Sequence, residues 1–142
     1  MEKYTLSVPC LFGLEGICSQ ELKRMDMDAV SAENGRVLFQ GDFQDIIKAN
    51  LRLRTGERVL LRIASFPART FEELFQGVLH TNLEDYIPKD GQFPVKGHCL
   101  NSTLMSVSDC QAIIKKAASR RLGEKYGVSW LPETGVKFQM HF

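Results

Sequence analysis

The first 66 residues alternate short β-favouring runs with amphipathic helical stretches, and this order constrains the fold more than any other feature of the chain. Tyr4–Val8 is a β-favourable run closed by Pro9, which cannot donate to a strand ladder. From Gly13 onward, Leu14, Ile17, Cys18, Leu22 and Met25 recur at the spacing of one helix face. Ala29–Ala32 and Arg36–Gln40 read as two short strands joined by Glu33-Asn34-Gly35. Asn-Gly between β-like runs is a strong hairpin signal, because a tight turn needs positive φ at its central positions. Asp42 is placed to cap a second helix, with Phe43, Ile46, Ile47 and Leu51 as its buried face. Glu57–Phe66 follows as a strand with little alternation, as expected of one covered on both faces.

The resulting order, β-α-β-β-α-β, is the ferredoxin-like pattern, in which two split βαβ units place both helices on one face of an antiparallel sheet. The expected class is therefore α+β. The pattern closes at Pro67, giving a first domain of residues 1–67, small enough to lean on its neighbour. Residues 68–142 form a second, α/β domain. Thr70-Phe71-Glu72-Glu73 opens a helix as a capping box, with Phe71, Leu74, Phe75 and Val78 as its stripe. Thr81–Gln92 is turn-rich, broken by Pro88 and Gly91. Phe93–Leu100 has strand character. Ser108-Asp109-Cys110-Gln111 is a second capping box and starts the longest helix, to about Tyr126, with Gly127 as its C-cap. Val136–Phe142 alternates strictly, with Val136, Phe138, Met140 and Phe142 on one face. A strand so patterned at the end of the chain, with nothing after it to pair with, implies an incomplete second domain and a polypeptide that continues.

Composition narrows the function classes. Residues 1–50 carry five Lys/Arg against eight Asp/Glu, and residues 51–142 thirteen against nine, so a polyanion-binding surface belongs to the second part. No window approaches the ~20 apolar residues of a membrane helix. The N-terminus lacks the basic-then-apolar layout of a secretion signal, and a cytoplasmic location is expected. Cys10, Cys18, Cys99 and Cys110 show no metal-ligand spacing and read as small core residues. No metal site is expected.

Two basic sets stand out. Arg52, Arg54, Arg58, Arg62 and Arg69 lie close together with Glu57 as the lone acid among them, and arginine suits bidentate phosphate contacts. Arg58 and Arg62 are equally open to pairing with carboxylates of the sheet. Lys115, Lys116, Arg120, Arg121 and Lys125 fall on the long helix. Cys110, Ile113, Ile114 and Ala117 mark its buried face, which puts Lys115 almost opposite, Lys116 and Arg120 at its flank and Arg121 near it. Such a helix serves equally as a solvated face. Ser102, Thr103, Ser106 and Ser108 crowd its N-terminus, where free N–H groups attract phosphate, although capping alone accounts for Ser108. Catalytic signals are weak by comparison. Glu72/Glu73 and Glu84/Asp85 sit at helix or turn starts, and His80, His98 and His141 are scattered with no nucleophile beside them. Neither G-x-G-x-x-G nor G-x-x-x-x-G-K-[ST] occurs, and Phe12-Gly13-Leu14-Glu15-Gly16 fits a turn into a helix.

Several blocks resemble the N-terminal region of bacterial THUMP-domain RNA methyltransferases of the large-subunit rRNA guanine-N2 type. They are Tyr4-Thr5-Leu6, Phe12-Gly13-Leu14-Glu15, Glu21-Leu22-Lys23, Asn34-Gly35-Arg36-Val37, Ala49–Thr55, Glu57–Leu60, Thr70–Phe75, Phe93-Pro94-Val95 and Asp109–Ala117, in order along nearly the whole chain. The resemblance implies a ferredoxin-like domain joined to a THUMP domain that together recognise structured RNA, rRNA being the expected partner. It also implies a separate methylase domain, absent here, that uses S-adenosylmethionine. No cofactor and no catalytic residue is expected in this chain. The expected phosphate-positioning residues are Arg69, Lys96, Ser102, Ser106, Lys115, Lys116 and Arg120, with Arg52 and Arg54 secondary. Two alternatives remain open: a structural module that braces the catalytic domain or forms a homodimer, and the THUMP arm of a tRNA-thiolating or pseudouridine-forming enzyme.

Overall fold

Four strands, β1 (Tyr4–Pro9), β2 (Asp28–Glu33), β3 (Arg36–Gly41) and β4 (Leu60–Leu61), form an antiparallel sheet in the order β2-β3-β1-β4. With helices α1 (Glu15–Arg24) and α2 (Phe43–Arg52) they make the first of two units, which ends at Ile63; the second is Ala64–Phe142. The computed structural model describes residues 2–142.

The first unit has the expected ferredoxin-like topology. Leu6 stands opposite Phe39 and Val8 opposite Val37, and these four side chains are almost wholly buried on one face of the sheet. Cys18, Leu22 and Met25 of the α1 region and Ala49 of α2 join the same cluster, so both helices cover that face. Burying each large side chain of this kind contributes about 1.5–3 kcal/mol. The β2–β3 hairpin turns at Asn34-Gly35, where Gly35 alone has positive φ (77°). Both turn residues were expected to need it. A turn with only its second central residue left-handed requires glycine there and accepts asparagine in an ordinary conformation.

Three expectations for this unit are corrected. Ile17 is exposed rather than buried, and Ser19 takes its place among the covered residues of α1. In α2, Asp42 does cap the helix, exchanging side chain–backbone bonds with Asp45, but Phe43, Ile47 and Leu51 lie 65%, 60% and 80% exposed. Ala49 faces the sheet instead, with Ile46 and Leu53 beside it. The small side chain lets the helix approach the sheet closely, and the bulkier stripe is turned outward. The last strand is two residues long rather than ten. Glu57 and Arg62 donate their N–H groups to the Pro9 and Thr5 carbonyls of β1, but the run then leaves the sheet, and Phe66 packs over Gly77 of the second unit.

In the second unit, α3 (Phe71–Leu79), a single 3-10 turn (Leu83–Asp85) and α4 (Val107–Tyr126) enclose Phe75, Val78, Leu83, Ile87, Cys110, Ile114, Ala117, Ala118 and Leu122. Strand β5 (Val95–Lys96) runs parallel to β6 (Met140–His141). Single hydrogen bonds extend this ladder from Gln92 and Val136 to His98 and Phe142, so the Phe93–Leu100 and Val136–Phe142 runs pair with each other although only their middles are regular strand. Thr70 caps α3 through the Glu73 N–H, while the Glu73 carboxylate reaches back to the Arg69 N–H rather than to Thr70. The long helix begins two residues earlier than expected. Ser106, not Ser108, accepts the Asp109 N–H, and this register puts Asp109 in the first turn, where the helix dipole favours an anion. Gly127 ends α4 at φ 68°, and the N–H groups of Gly127 and Val128 both return to the Gly123 carbonyl.

Candidate nucleic-acid interface

Of the five cationic side chains on α4, the structure separates two that are built into the fold, Arg121 and Lys115, from three that are exposed, Lys116, Arg120 and Lys125. Arg121 is 15% exposed and forms a two-point bond to Glu84, Nε to Oε2 at 3.0 Å and Nη2 to Oε1 at 2.6 Å. It also donates to the Leu79 carbonyl and to Asn82 Oδ1. The guanidinium holds the Glu84 carboxyl down to about 2. Its expected place near the buried face is where it lies. Lys115 differs from expectation. Instead of standing opposite the core it is half-buried, with Nζ 2.6 Å from Glu133 Oε1, 3.1 Å from the Phe93 carbonyl and 3.5 Å from the centre of the Phe93 ring. A helical projection counts only the helix's own residues, and here the chain beyond Gly127 folds back to cover that side. Burial pushes the Glu133 carboxyl up, but bonds from Lys115 and the Phe93 N–H outweigh it and hold the group below its usual range.

Lys116 and Arg120, one turn apart on α4, are exposed. Lys116 has no side-chain partner among the described residues, while Arg120 pairs with Glu124 at 3.0 Å and lies 6.0 Å from the Phe75 ring centre. Toward the start of the same helix, Gln111 Nε2 donates to the Val95 carbonyl of β5, and Lys96, the next residue, is exposed. Arg69 precedes the α3 cap; its N–H is held by Glu73 and its side chain is exposed. Ser102 and Ser106 are engaged locally, their hydroxyls accepting the Leu104 and Asp109 N–H groups at 3.2 and 3.3 Å. Arg52 and Arg54 are exposed in the first unit, where the Arg54 N–H donates to Glu21. Arg58 and Arg62, also exposed, form no ion pair among the described residues. The second unit thus brings Lys96, Lys116 and Arg120 onto or against one helix.

Three of the four cysteines pack as expected of small apolar residues: Cys10, Cys18 and Cys110 are buried, and burial pushes their thiols up, whereas Cys99 is half-buried with its Sγ 3.9 Å from that of Cys110. No group of three or more metal-ligating side chains occurs among the described residues, and no helix is long and apolar enough to cross a membrane. One exposed residue escaped sequence reasoning. Trp130 is 74% exposed just beyond α4, and a lone aromatic in a loop carries no periodic signal.

Comparison with known proteins assigns both halves. Residues 5–60 match the RlmL ferredoxin-like domain and residues 68–136 the THUMP domain. The chain is 40% identical, over 99% of its length, to YpsC of Bacillus subtilis (strain 168), named as a candidate RNA methyltransferase. It is 32% identical over 95 residues to the Ribosomal RNA large subunit methyltransferase K/L of Marinobacter nauticus. It spans 37% of the first relative's length and 13% of the second's. Two solved structures align over 99% of the chain. One is a protein of Listeria monocytogenes described as a predicted N6-adenine-specific DNA methylase (TM-score 0.91, 45% identity), and the other is SMU.472, a candidate methyltransferase complexed with SAH (TM-score 0.87, 38% identity). The chain covers 37% and 38% of them, respectively.

Proposed function

We propose, on the premise that the chain belongs to the family that joins an RlmL-type ferredoxin-like domain to a THUMP domain, that it is the RNA-engaging N-terminal region of an RNA methyltransferase. The observation that carries this reading is the order of those two domains along one chain whose relatives are named as RNA and ribosomal RNA methyltransferases. The finer reading is that the substrate is rRNA and that the parent protein methylates guanine at N2. Proteins commonly engage structured RNA through its backbone, 2′-hydroxyls and shape. Arg69, Lys96, Lys116 and Arg120 supply exposed cations suited to phosphates, with Ser102 and Ser106 framing the start of α4 and Arg52 and Arg54 as further contacts from the first unit. The name of the Listeria relative points to DNA; the THUMP domain argues for RNA.

S-adenosylmethionine would bind outside this chain. The loop around Gly13 that enters α1 already spends its donors on the protein itself: the Gly13 N–H goes to the Glu15 carboxylate at 2.8 Å and the Leu14 N–H to the Leu11 carbonyl at 3.0 Å. That loop does not fit a cofactor, and this chain by itself would transfer no methyl group.

A second reading, a module that braces the rest of the polypeptide, draws on the outward stripe of Phe43, Ile47 and Leu51. Fluorescence anisotropy with a folded rRNA fragment and a duplex DNA of equal length, across a salt series, separates the two. RNA-selective binding that weakens with salt is expected. Absence of binding at low salt, with concentration-dependent sedimentation, would favour the brace.

A further inference from the structure

Cys99 follows β5, in a segment outside regular secondary structure that runs to the start of α4, and Cys110 stands in the opening turns of that helix. They are eleven residues apart in sequence, yet their sulfurs lie 3.9 Å from each other. The two positions differ in solvent access. Cys110 is 3% exposed, whereas Cys99, alone among the described cysteines, is only half-buried. They also differ in anchorage. The Cys110 N–H is bonded to the Ser106 carbonyl within the helix. Among the described residues, no backbone hydrogen bond joins residues 99–105 to another part of the unit, and Leu104 is the one side chain of that segment buried in the core. Ser102 spends its hydroxyl inside the segment, on the Leu104 N–H. Leu100 and Met105 are 48% and 79% exposed. A disulfide brings its sulfurs to about 2 Å. Cys110 is fixed by α4, but a shift at Cys99 breaks no ladder bond, so the remaining distance is closed from that end.

We propose that Cys99 and Cys110 form a reversible disulfide on exposure to hydrogen peroxide, and that it fastens residues 99–105 to α4. The accessible member reacts first. The Cys99 sulfur attacks one peroxide oxygen; an S–O bond forms, the O–O bond breaks, and the departing hydroxide takes a proton and leaves as water. Cys110 then gives up its proton and attacks the Cys99 sulfur. The S–S bond forms, the S–O bond breaks, and the second hydroxide leaves with that proton as water. Together the two thiols lose two electrons and two protons, and the peroxide is reduced to two waters. Burial and the neighbouring Cys99 thiol hold the Cys110 thiol above its usual range, which suits it to the second step rather than the first. The ring so closed contains Ser102 and Ser106, and the two redox states present the approach to α4 as a loose or a fastened segment.

Trypsin cuts after Lys96 and after Lys115 and finds no Lys or Arg between them, so both cysteines fall in one peptide, residues 97–115. The folded whole chain is treated with hydrogen peroxide, its remaining thiols are alkylated, and the digest is weighed. The expected peptide is two hydrogens lighter, carries no alkyl group and is restored by dithiothreitol, while the peptide holding Cys10 and Cys18 keeps both thiols. Chymotrypsin should cleave the oxidised chain at Leu100 and Met105 about tenfold more slowly than the reduced chain. Cys110→Ala should stop the reaction at the Cys99 sulfenic acid, trapped by dimedone, with an unchanged circular dichroism spectrum. Cys99 remaining fully alkylatable after peroxide, oxidation of the native chain that ends at a Cys99 sulfenic or sulfinic acid, or equal cleavage in the two redox states would overturn the proposal. None of these readouts involves RNA, so they stand apart from the test of the RNA-binding reading.

Discussion

Replacing Lys115 with methionine should destabilise the second unit and leave its affinity for RNA nearly unchanged, although the residue sits beside Lys116 in a basic helix. Three contacts set the magnitude. The ion pair to Glu133 (2.6 Å, side chains 35% and 32% exposed) is close to the surface regime, about 0.5–1 kcal/mol. The bond to the Phe93 carbonyl at 3.1 Å contributes a further ~0.5–1 kcal/mol. The ammonium 3.5 Å from the Phe93 ring centre adds roughly 0.5–1 kcal/mol. Methionine keeps most of the aliphatic packing, so a net loss of about 1–2 kcal/mol follows. For a unit of this size that is a fall in Tm of roughly 4–16 °C, read by circular dichroism on melting. Glu133→Gln keeps an acceptor for the Phe93 N–H and removes only the ion pair. The double variant should therefore lose about 0.5–1 kcal/mol less than the two singles combined. An unchanged Tm together with a flattened salt dependence of RNA binding would put Lys115 outward on the RNA and refute the reasoning.

Glu84 makes stability pH-dependent with a defined sign. Arg121 lowers its carboxyl to about 2 in the folded state, below its unfolded value. The stabilisation is therefore fully present above about pH 4.5 and lost as pH falls toward 2. Urea unfolding across that window should show a steeper decline for the native protein than for Glu84→Gln. Gly35→Ala places a side chain at φ 77° with its Cβ 3.3 Å from the Phe12 ring. The hairpin should lose about 1–2 kcal/mol, measured by chemical denaturation. Changing Ile47 and Leu51 to serine should cost less than about 0.5 kcal/mol each, because they are exposed; a large loss would return them to the core. Lys116→Ala should keep its Tm and reduce the slope of log K against log salt by about 0.7–0.9.

Local chemistry was legible in the sequence where one residue decides the outcome alone. Asp42 ahead of a helix, Gly127 after one and Asn34-Gly35 between strands each carry a backbone preference that survives folding, and with them came the sheet order. Long-range choices were not legible. The stripe Phe43, Ile47, Leu51 is the more hydrophobic side of α2, yet the sheet selects Ala49 because only a small side chain allows the close approach. Both Ser106 and Ser108 head caps that the local sequence allows, and the fold settles on Ser106, whose hydroxyl accepts the Asp109 N–H. Lys115 looked solvated because Glu133 and Phe93, which hold it, are 18 and 22 residues away. The candidate interface shares this division. The exposure of Lys96, Lys116 and Arg120 follows from pattern, whereas the burial of Lys115 depends on how the chain turns after α4.

Backbone amide chemical-shift mapping during titration with a folded rRNA fragment tests the central claim most directly. The account predicts that shifts concentrate around Arg69, Lys96, Lys116 and Arg120, diminish with added salt, and are much weaker with duplex DNA. Shifts absent from the second unit, or equal for RNA and DNA, would contradict it.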